Sequence, residues 1–115
     1  GAKVKFISVV GDDENYEYVK NGLEALNIDT VLFKDSTRPT TLKQRFRANG
    51  KTLLRVNHLK QHSVSKGIEN EILKSIKENI SKFDLIIFSD FSYGVLTNKI
   101  IKDITKLGIE HSVLM

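Results

Sequence analysis

The chain contains no cysteine, which removes disulfides and thiolate metal sites from consideration. It has no apolar run near the roughly 20 residues that a membrane-spanning helix needs and no signal-peptide pattern, so the cytoplasm is the expected location. No internal repeat, low-complexity tract or linker interrupts it. There is no Gly-rich phosphate loop of either common spacing, and no Ser/His/Asp arrangement can be assigned. His58 and His62 stand four apart without a third ligand nearby, so no metal site is expected. Asn79-Ile80-Ser81 matches a glycosylation acceptor, but nothing else in the sequence suggests secretion. The 115 residues, 40% hydrophobic and 28% charged, have the composition of a globular chain with a modest core. Gly1-Ala2 reads as an expression remnant outside the fold.

The formal charge is +4 and the isoelectric point about 9.3. Such a balance suits an anionic partner such as nucleic acid, a membrane surface or a phosphorylated metabolite, or simply a Lys-rich solvated surface. Where the charges sit decides between these.

Val4 to Val10 is a short apolar run ending at Gly11 and reads as a buried strand. Asp12, Asp13 and Glu14 suit the positive end of a helix, with Asp13 as its N-cap. Tyr16, Val19, Leu23 and Leu26 then recur at helical spacing, and Asn27 can take the left-handed conformation that ends a helix. Thr30 to Lys34 reads as a second strand. After Arg38-Pro39-Thr40, two extended runs flank Asn49-Gly50, the residue pair that a type I′ hairpin turn prefers. A two-residue turn sets Phe46 opposite Leu53 and Arg45 opposite Leu54, so that Lys43, Arg45 and Arg47 share a face with Leu54 and Val56. Ile68, Ile72, Ile76 and Ile80 form one apolar helix face. Leu85 to Ser89 reads as another buried strand, Thr97 as the cap of a helix ended by Gly108, and His111 to Met115 as the start of one more strand.

The resulting order is β-α-β, hairpin, α-β-α-β. It predicts a parallel sheet covered by helices, with the hairpin projecting from it. The apolar ending at Met115 suggests a sheet that continues beyond this sequence.

In open α/β sheets, ligands bind beyond the carboxyl ends of strands. The Gly11-Asp12-Asp13 and Asp90-Phe91-Ser92-Tyr93-Gly94 loops lie there. Asp12 and Asp13 are explained by helix capping; Asp90, directly after a strand, is placed for ligand hydroxyls or a cation. The basic hairpin, with Lys43, Arg45, Arg47, Lys51 and Arg55, suits phosphate, which Arg grips bidentately. A charged edge that prevents aggregation is its ordinary alternative.

These residues resemble a known family. Val10-Gly11-Asp12-Asp13-Glu14, Leu23-Glu24-Ala25-Leu26, Arg38-Pro39-Thr40-Thr41 with Lys43 and Arg45, Ala48-Asn49-Gly50 with Leu53-Leu54-Arg55-Val56, Ser89-Asp90-Phe91 and Gly94-Val95-Leu96-Thr97 fall in the order found in ribokinase-like (PfkB-type) carbohydrate kinases. The branch most resembled is the bacterial heptose-phosphate kinases that feed ADP-heptose synthesis. The resemblance implies a partial Rossmann-like α/β/α sandwich, with residues 1–115 a single fragment of the kinase domain and a β-hairpin lid at about 38–58. It implies a central, sugar-side segment of an ATP- and Mg-dependent sugar-phosphate kinase. Lys43, Arg45 and Arg55 are implied on the sugar-phosphate side, with Asp90 and Tyr93 near it. No catalytic or cofactor-binding residue is implied here. By the resemblance, the family's sugar-binding Asp and Gly-Gly segment would precede residue 4, and its Gly-Ala-Gly-Asp anion hole with the catalytic Asp would come well after Met115. The fragment alone is therefore expected to be inactive and to bind no ATP tightly. The lid often joins two subunits, so a homo-oligomer through the hairpin is expected, with no membrane partner.

Several positions depart from the family pattern. Tyr16 stands where a Gly is usual, Lys51 and Thr52 where two Gln are common, and Asn57 where Asp is common. The loop commonly reads Ser-Asp-Tyr-x-Lys-Gly, and here Tyr93 replaces the cation, implying a sugar other than heptose 7-phosphate. Two other classes remain in view. Asp12, Asp13 and Asp90 could form a receiver-like acidic pocket that accepts a phosphoryl group, and the hairpin could be a nucleic-acid-binding β-ribbon. The hairpin's one aromatic residue, Phe46, is expected to pack inward, so the ribbon reading lacks a base-stacking surface.

Overall fold

A computed structural model describes all 115 residues. They divide into two compact units, residues 1–60 and 61–115.

In the first unit, β1 (Lys5–Val10) and β2 (Asp29–Lys34) pair in parallel, from Lys5 opposite Asp29 to Val10 opposite Lys34. Parallel neighbours need a crossover, and α1 (Asn15–Ala25) supplies it. The helix ends as the sequence predicts. Asn27 is left-handed at φ 55°, its N–H bonds to the Glu24 carbonyl, and the Ile28 N–H bonds to the Leu23 carbonyl, the paired bonds of a Schellman end. The start of the helix differs from expectation. Glu14, with no side-chain hydrogen bond, holds the cap position, because Asp13 spends its carboxylate elsewhere. Val10 is the only buried residue of β1, and Phe6 is 40% exposed, so this strand is less covered than its apolar run predicts.

Beyond the strands, the most buried part of this unit is polar. Asp35, Arg38 and Thr40 are all buried. Asp35 accepts from the Thr37 N–H at 2.9 Å, the Thr37 hydroxyl at 2.6 Å and Arg38 Nε at 2.8 Å. Thr40 accepts the Gly11 N–H at 2.9 Å, and its own N–H donates to Asp13 at 2.7 Å. A Cβ at Gly11 would lie 2.4 Å from the Thr40 nitrogen and 2.7 Å from the Arg38 oxygen, so only glycine permits this close crossing. From here the chain enters an antiparallel hairpin, β3 (Leu42–Ala48) and β4 (Lys51–His58). Asn49 and Gly50 have φ of 49° and 76°, both positive as a type I′ turn requires.

The second unit packs α2 (Lys66–Lys77) with α3 (Asn98–Glu110). Ile68, Ile72, Ile76 and Ile80 are all buried, as their spacing predicts, and Ile100, Ile104 and Val113 join them. Ser65 and Thr97 cap the two helices by accepting the N–H of Ile68 and Ile100. The Thr97 hydroxyl also donates to the carboxylate of Glu69, a buried residue in the first turn of α2, tying the two helix starts together.

Three expectations change in this unit. Gly108 does not end α3; it is buried two residues before the helix ends. A Cβ there would lie 2.8 Å from Met115 Sδ, so glycine serves packing, while Ser112, left-handed at φ 57°, terminates the helix. Leu85 to Ser89 and His111 to Met115 form no full strands. They meet at one parallel bridge, Leu85 to Leu114, with the Ile86 N–H on the Leu114 carbonyl. Leu85 and Ile87 are exposed at 52% and 78% rather than buried, because a strand of this composition needs a partner on each side and has one bridge here. No helix is long and apolar enough to cross a membrane.

Ile100 has no exposed surface, whereas its neighbour Ile101 is 37% exposed. Ile100→Ala should cost about 2–5 kcal/mol and Ile101→Ala well under half of that, as read by urea unfolding of the two variants side by side. The polar crossing gives a second expectation. Burial alone would raise the Asp35 carboxyl, but hydrogen bonds from Thr37 and the Arg38 guanidinium outweigh it and hold the group below its ordinary value of 3.8. The Asp13 carboxyl is also lowered, chiefly by hydrogen bonds from the Thr40 hydroxyl and N–H. A depressed folded pKa adds stability that is present above the unfolded value and lost as pH falls through the folded one. Unfolding free energy should therefore fall as pH drops below about 4, and Asp35→Asn should flatten that acid limb while lowering stability at neutral pH. An acid limb unchanged in Asp35→Asn would contradict this account.

Candidate functional site

The hairpin register brings together three of the residues singled out from sequence. Leu42 pairs with His58, Lys43 with Asn57, Gln44 with Val56, Arg45 with Arg55 and Phe46 with Leu54. The ladder then shifts, so that Arg47 pairs with Thr52 and Ala48 with Lys51. Leu53 is the extra residue of a β-bulge. The uniform two-residue hairpin predicted Phe46 opposite Leu53 and Arg45 opposite Leu54, and the bulge moves both by one. A shift of one residue exchanges faces. Leu54 and Val56 therefore lie with Gln44 and Phe46, not with the cations, and Arg55 joins Lys43 and Arg45 on the other face.

Arg45 and Arg55 thus stand directly opposite each other, an arrangement of like charges that destabilises a bare hairpin. No carboxylate pairs with either. The sequence between Asp35 and Glu69 has no acidic residue and eight Lys or Arg, five of them in β3 and β4. Arg47, further along, turns its guanidinium to the Gly50 carbonyl at 3.1 Å and so braces the turn. All of these cations are exposed.

At the root of the hairpin lies an open cleft lined by Asp12, Asp13, Ser36, Thr37, Arg38 and Pro39. Each of its carboxylates holds a partner, although Asp13 Oδ1 is buried without one. Asp12 pairs with Lys34 at 2.9 Å, and this hydrogen bond raises the Lys34 ammonium above its ordinary value. The same ammonium sits 4.4 Å over the Tyr16 ring. Asp13 holds Thr40, and Asp35 holds Arg38, leaving the cleft as a braced hinge of backbone and ion pairs.

Asp90 and Tyr93 belong to the second unit, in the loop after the bridged segment. Asp90 is exposed and accepts the Ser92 N–H at 2.7 Å, so it shapes its own loop. Tyr93 is half-buried and stacks on Phe91, with ring centroids 6.2 Å apart and planes 22° from parallel. Phe91 was not among the residues chosen from sequence. Its signal was available as an aromatic residue two positions from another in a loop beyond a strand. No three His, Cys, Asp or Glu side chains converge as metal ligands.

No family model matches the chain. It is 33% identical over 105 residues to the bifunctional protein HldE of Campylobacter curvus, covering 90% of this chain and 22% of that protein. It is 35% identical over 115 residues to the bifunctional protein HldE of Helicobacter pylori (strain Shi470), covering 99% of this chain and 25% of that protein. The chain thus spans about a quarter of the length of these relatives. Ribokinase from Giardia lamblia shares its fold, with a TM-score of 0.67 over 96% of this chain and 32% of that one, at 16% identity. Together they establish the chain as a ribokinase-like α/β segment, homologous to about a quarter of the HldE proteins.

Proposed function

We propose that this chain is the sugar-side segment of an ATP-dependent carbohydrate kinase whose acceptor is a phosphorylated sugar. The observation that carries the reading is the cationic hairpin face. Lys43, Arg45 and Arg55 share one side of the ladder, Arg45 faces Arg55, and no carboxylate neutralises the pair. A phosphate dianion between two guanidinium groups would turn their mutual repulsion into attraction on both sides. Asp90 and Tyr93, in the other unit, are assigned to the sugar by the resemblance alone, and Tyr93 offers a ring and a hydroxyl where the resembled kinases place a cation. That substitution favours a sugar other than heptose 7-phosphate.

ATP and Mg²⁺ belong to this reading as cofactors of the whole enzyme, and the sequence has no Gly-rich phosphate loop of either common spacing. Phosphoryl transfer also needs a positioned base and charge stabilisation, which the resemblance assigns to residues outside these 115. The chain alone is accordingly inactive in this reading, and the whole enzyme works in the cytoplasm, where its nucleotide is.

The other face of the hairpin supports a second copy of the chain as partner. Phe46 and Leu54, paired across the strands, are 50% and 54% exposed, so Phe46 does not pack inward as the sequence predicts. Exposed apolar surface of this kind favours association. Light scattering should find an oligomer that Phe46→Glu with Leu54→Glu dissociates, and a wild-type monomer at high concentration would remove this part of the reading.

Hydrogen bonds to charged groups contribute about 1.5–3 kcal/mol each. Replacing Arg45 or Arg55 by Gln should therefore weaken binding of a hexose 6-phosphate by about ten- to a hundredfold. Calorimetry on the wild type and the two variants measures this. Equal affinity across all three would refute the phosphate face, and tight, steeply salt-dependent binding to DNA or RNA would favour the nucleic-acid ribbon instead.

A further inference from the structure

Four non-glycine residues have left-handed backbones: Asn27, Asn49, Ser92 and Ser112. Asn27 and Ser112 end helices, and Asn49 makes the hairpin turn. Those positions require the conformation. Ser92, at φ 59°, ends no helix and makes no hairpin. Its backbone is held in an uncommon region by its surroundings, a pattern that clusters at ligand-binding loops.

The restraints are specific. The Ser92 N–H donates to Asp90 Oδ1 at 2.7 Å. Two residues on, Gly94 has φ 79°, and a Cβ there would fall 2.1 Å from the His62 carbonyl oxygen. The Gly94 carbonyl accepts the Val64 N–H at 2.9 Å, which anchors the loop to the segment that leads into α2. The turn at Ser92 brings Phe91 and Tyr93 into a near-parallel stack. Phe91 remains 66% exposed despite that contact, and Asp90 is exposed beside it.

We propose that Asp90, Phe91 and Tyr93 form a platform for the uncharged ring of a sugar, aligned by the left-handed backbone of Ser92. An aromatic face is electron-rich and attracts the C–H face of a pyranose. A carboxylate at its edge accepts hydrogen bonds from ring hydroxyls. The same carboxylate repels phosphate, so the platform takes the neutral part of a ligand. The inference rests on the carbohydrate reading above and adds Phe91 as a binding residue and Ser92 as a positioning residue.

The test is an NMR titration of the 115-residue chain with methyl α-D-mannopyranoside, methyl α-D-glucopyranoside and, separately, inorganic phosphate. At least one glycoside should move the ring signals of Phe91 and Tyr93 and the amides of residues 90–94, while phosphate should move Arg45 and Arg55 instead. Phe91→Ala should weaken glycoside binding about tenfold or more, a difference of about 1.4 kcal/mol. Ser92→Gly keeps access to the left-handed region and should bind within about twofold of wild type, whereas the β-branched Ser92→Val should lose binding as Phe91→Ala does. Amide spectra outside the loop report whether each variant stays folded. Glycoside shifts absent from residues 90–94, or unchanged affinity in Phe91→Ala or Ser92→Val, would overturn the platform. A phosphate response without a glycoside response sinks the platform and leaves the hairpin reading standing; the reverse sinks the hairpin reading alone.

Discussion

The first unit is organised around a polar crossing rather than an apolar core. Gly11, at the end of β1, passes against Thr40 so closely that a methyl group would strike its backbone nitrogen. Asp13 and Asp35 then hold Thr40, Thr37 and Arg38 in place. Burying Asp35 and Arg38 is costly, and the cost is recovered only because the pair is in contact and the carboxylate has further donors. Removing one partner would leave an uncompensated charge, so this knot resists piecemeal change. Its position matters because the hairpin starts two residues beyond Thr40. The direction in which β3 leaves is set here by hydrogen bonds that fix the backbone, not by apolar packing that could slide.

Much of this was legible in the residues because the determinants were local. Asn27 and Asn49-Gly50 declare positive φ through their own chemistry, and Thr97 caps its helix from the adjacent position. Ile68, Ile72 and Ile76 define the buried face of α2, and Ile80 continues it from the 3-10 turn that follows the helix; all four are buried. The errors arise where a residue's partner is distant. Asp13 stands in a good capping position, but Thr40, 27 residues away, claims its carboxylate. Gly108 sits where glycine often ends a helix, yet the packing of Met115 explains it. The Leu85 to Ser89 run has the composition of a central strand, and composition cannot say how many neighbours the strand has.

The bulge at Leu53 is the error with the largest consequence. No residue in Lys51 to His58 announces it, since neither glycine nor proline marks the place. Counting outward from Asn49-Gly50 gave a uniform ladder and a mixed face of cations and aliphatic side chains. One extra residue separates these into a cationic face and an apolar one. Lys43, Arg45 and Arg55 share one face of the ladder, and that common face depends on a register that only long-range pairing sets.

That separation gives the hairpin two faces of unlike chemistry, which is what the proposed anionic ligand and the proposed second copy would each require. A ribbon two strands wide is marginal by itself in water, and facing arginines make this one weaker. Its stability must come from what covers it. An anion on the Arg45–Arg55 side removes a repulsion, and apolar contact on the Phe46–Leu54 side removes exposed hydrophobic surface; neither occupies the other's face. If both proposed partners bind, the bulge would make the two stabilisations additive rather than competing. With the uniform register, an anion near Arg45 would have been pressed against Leu54, and burying that leucine would have meant burying the charge.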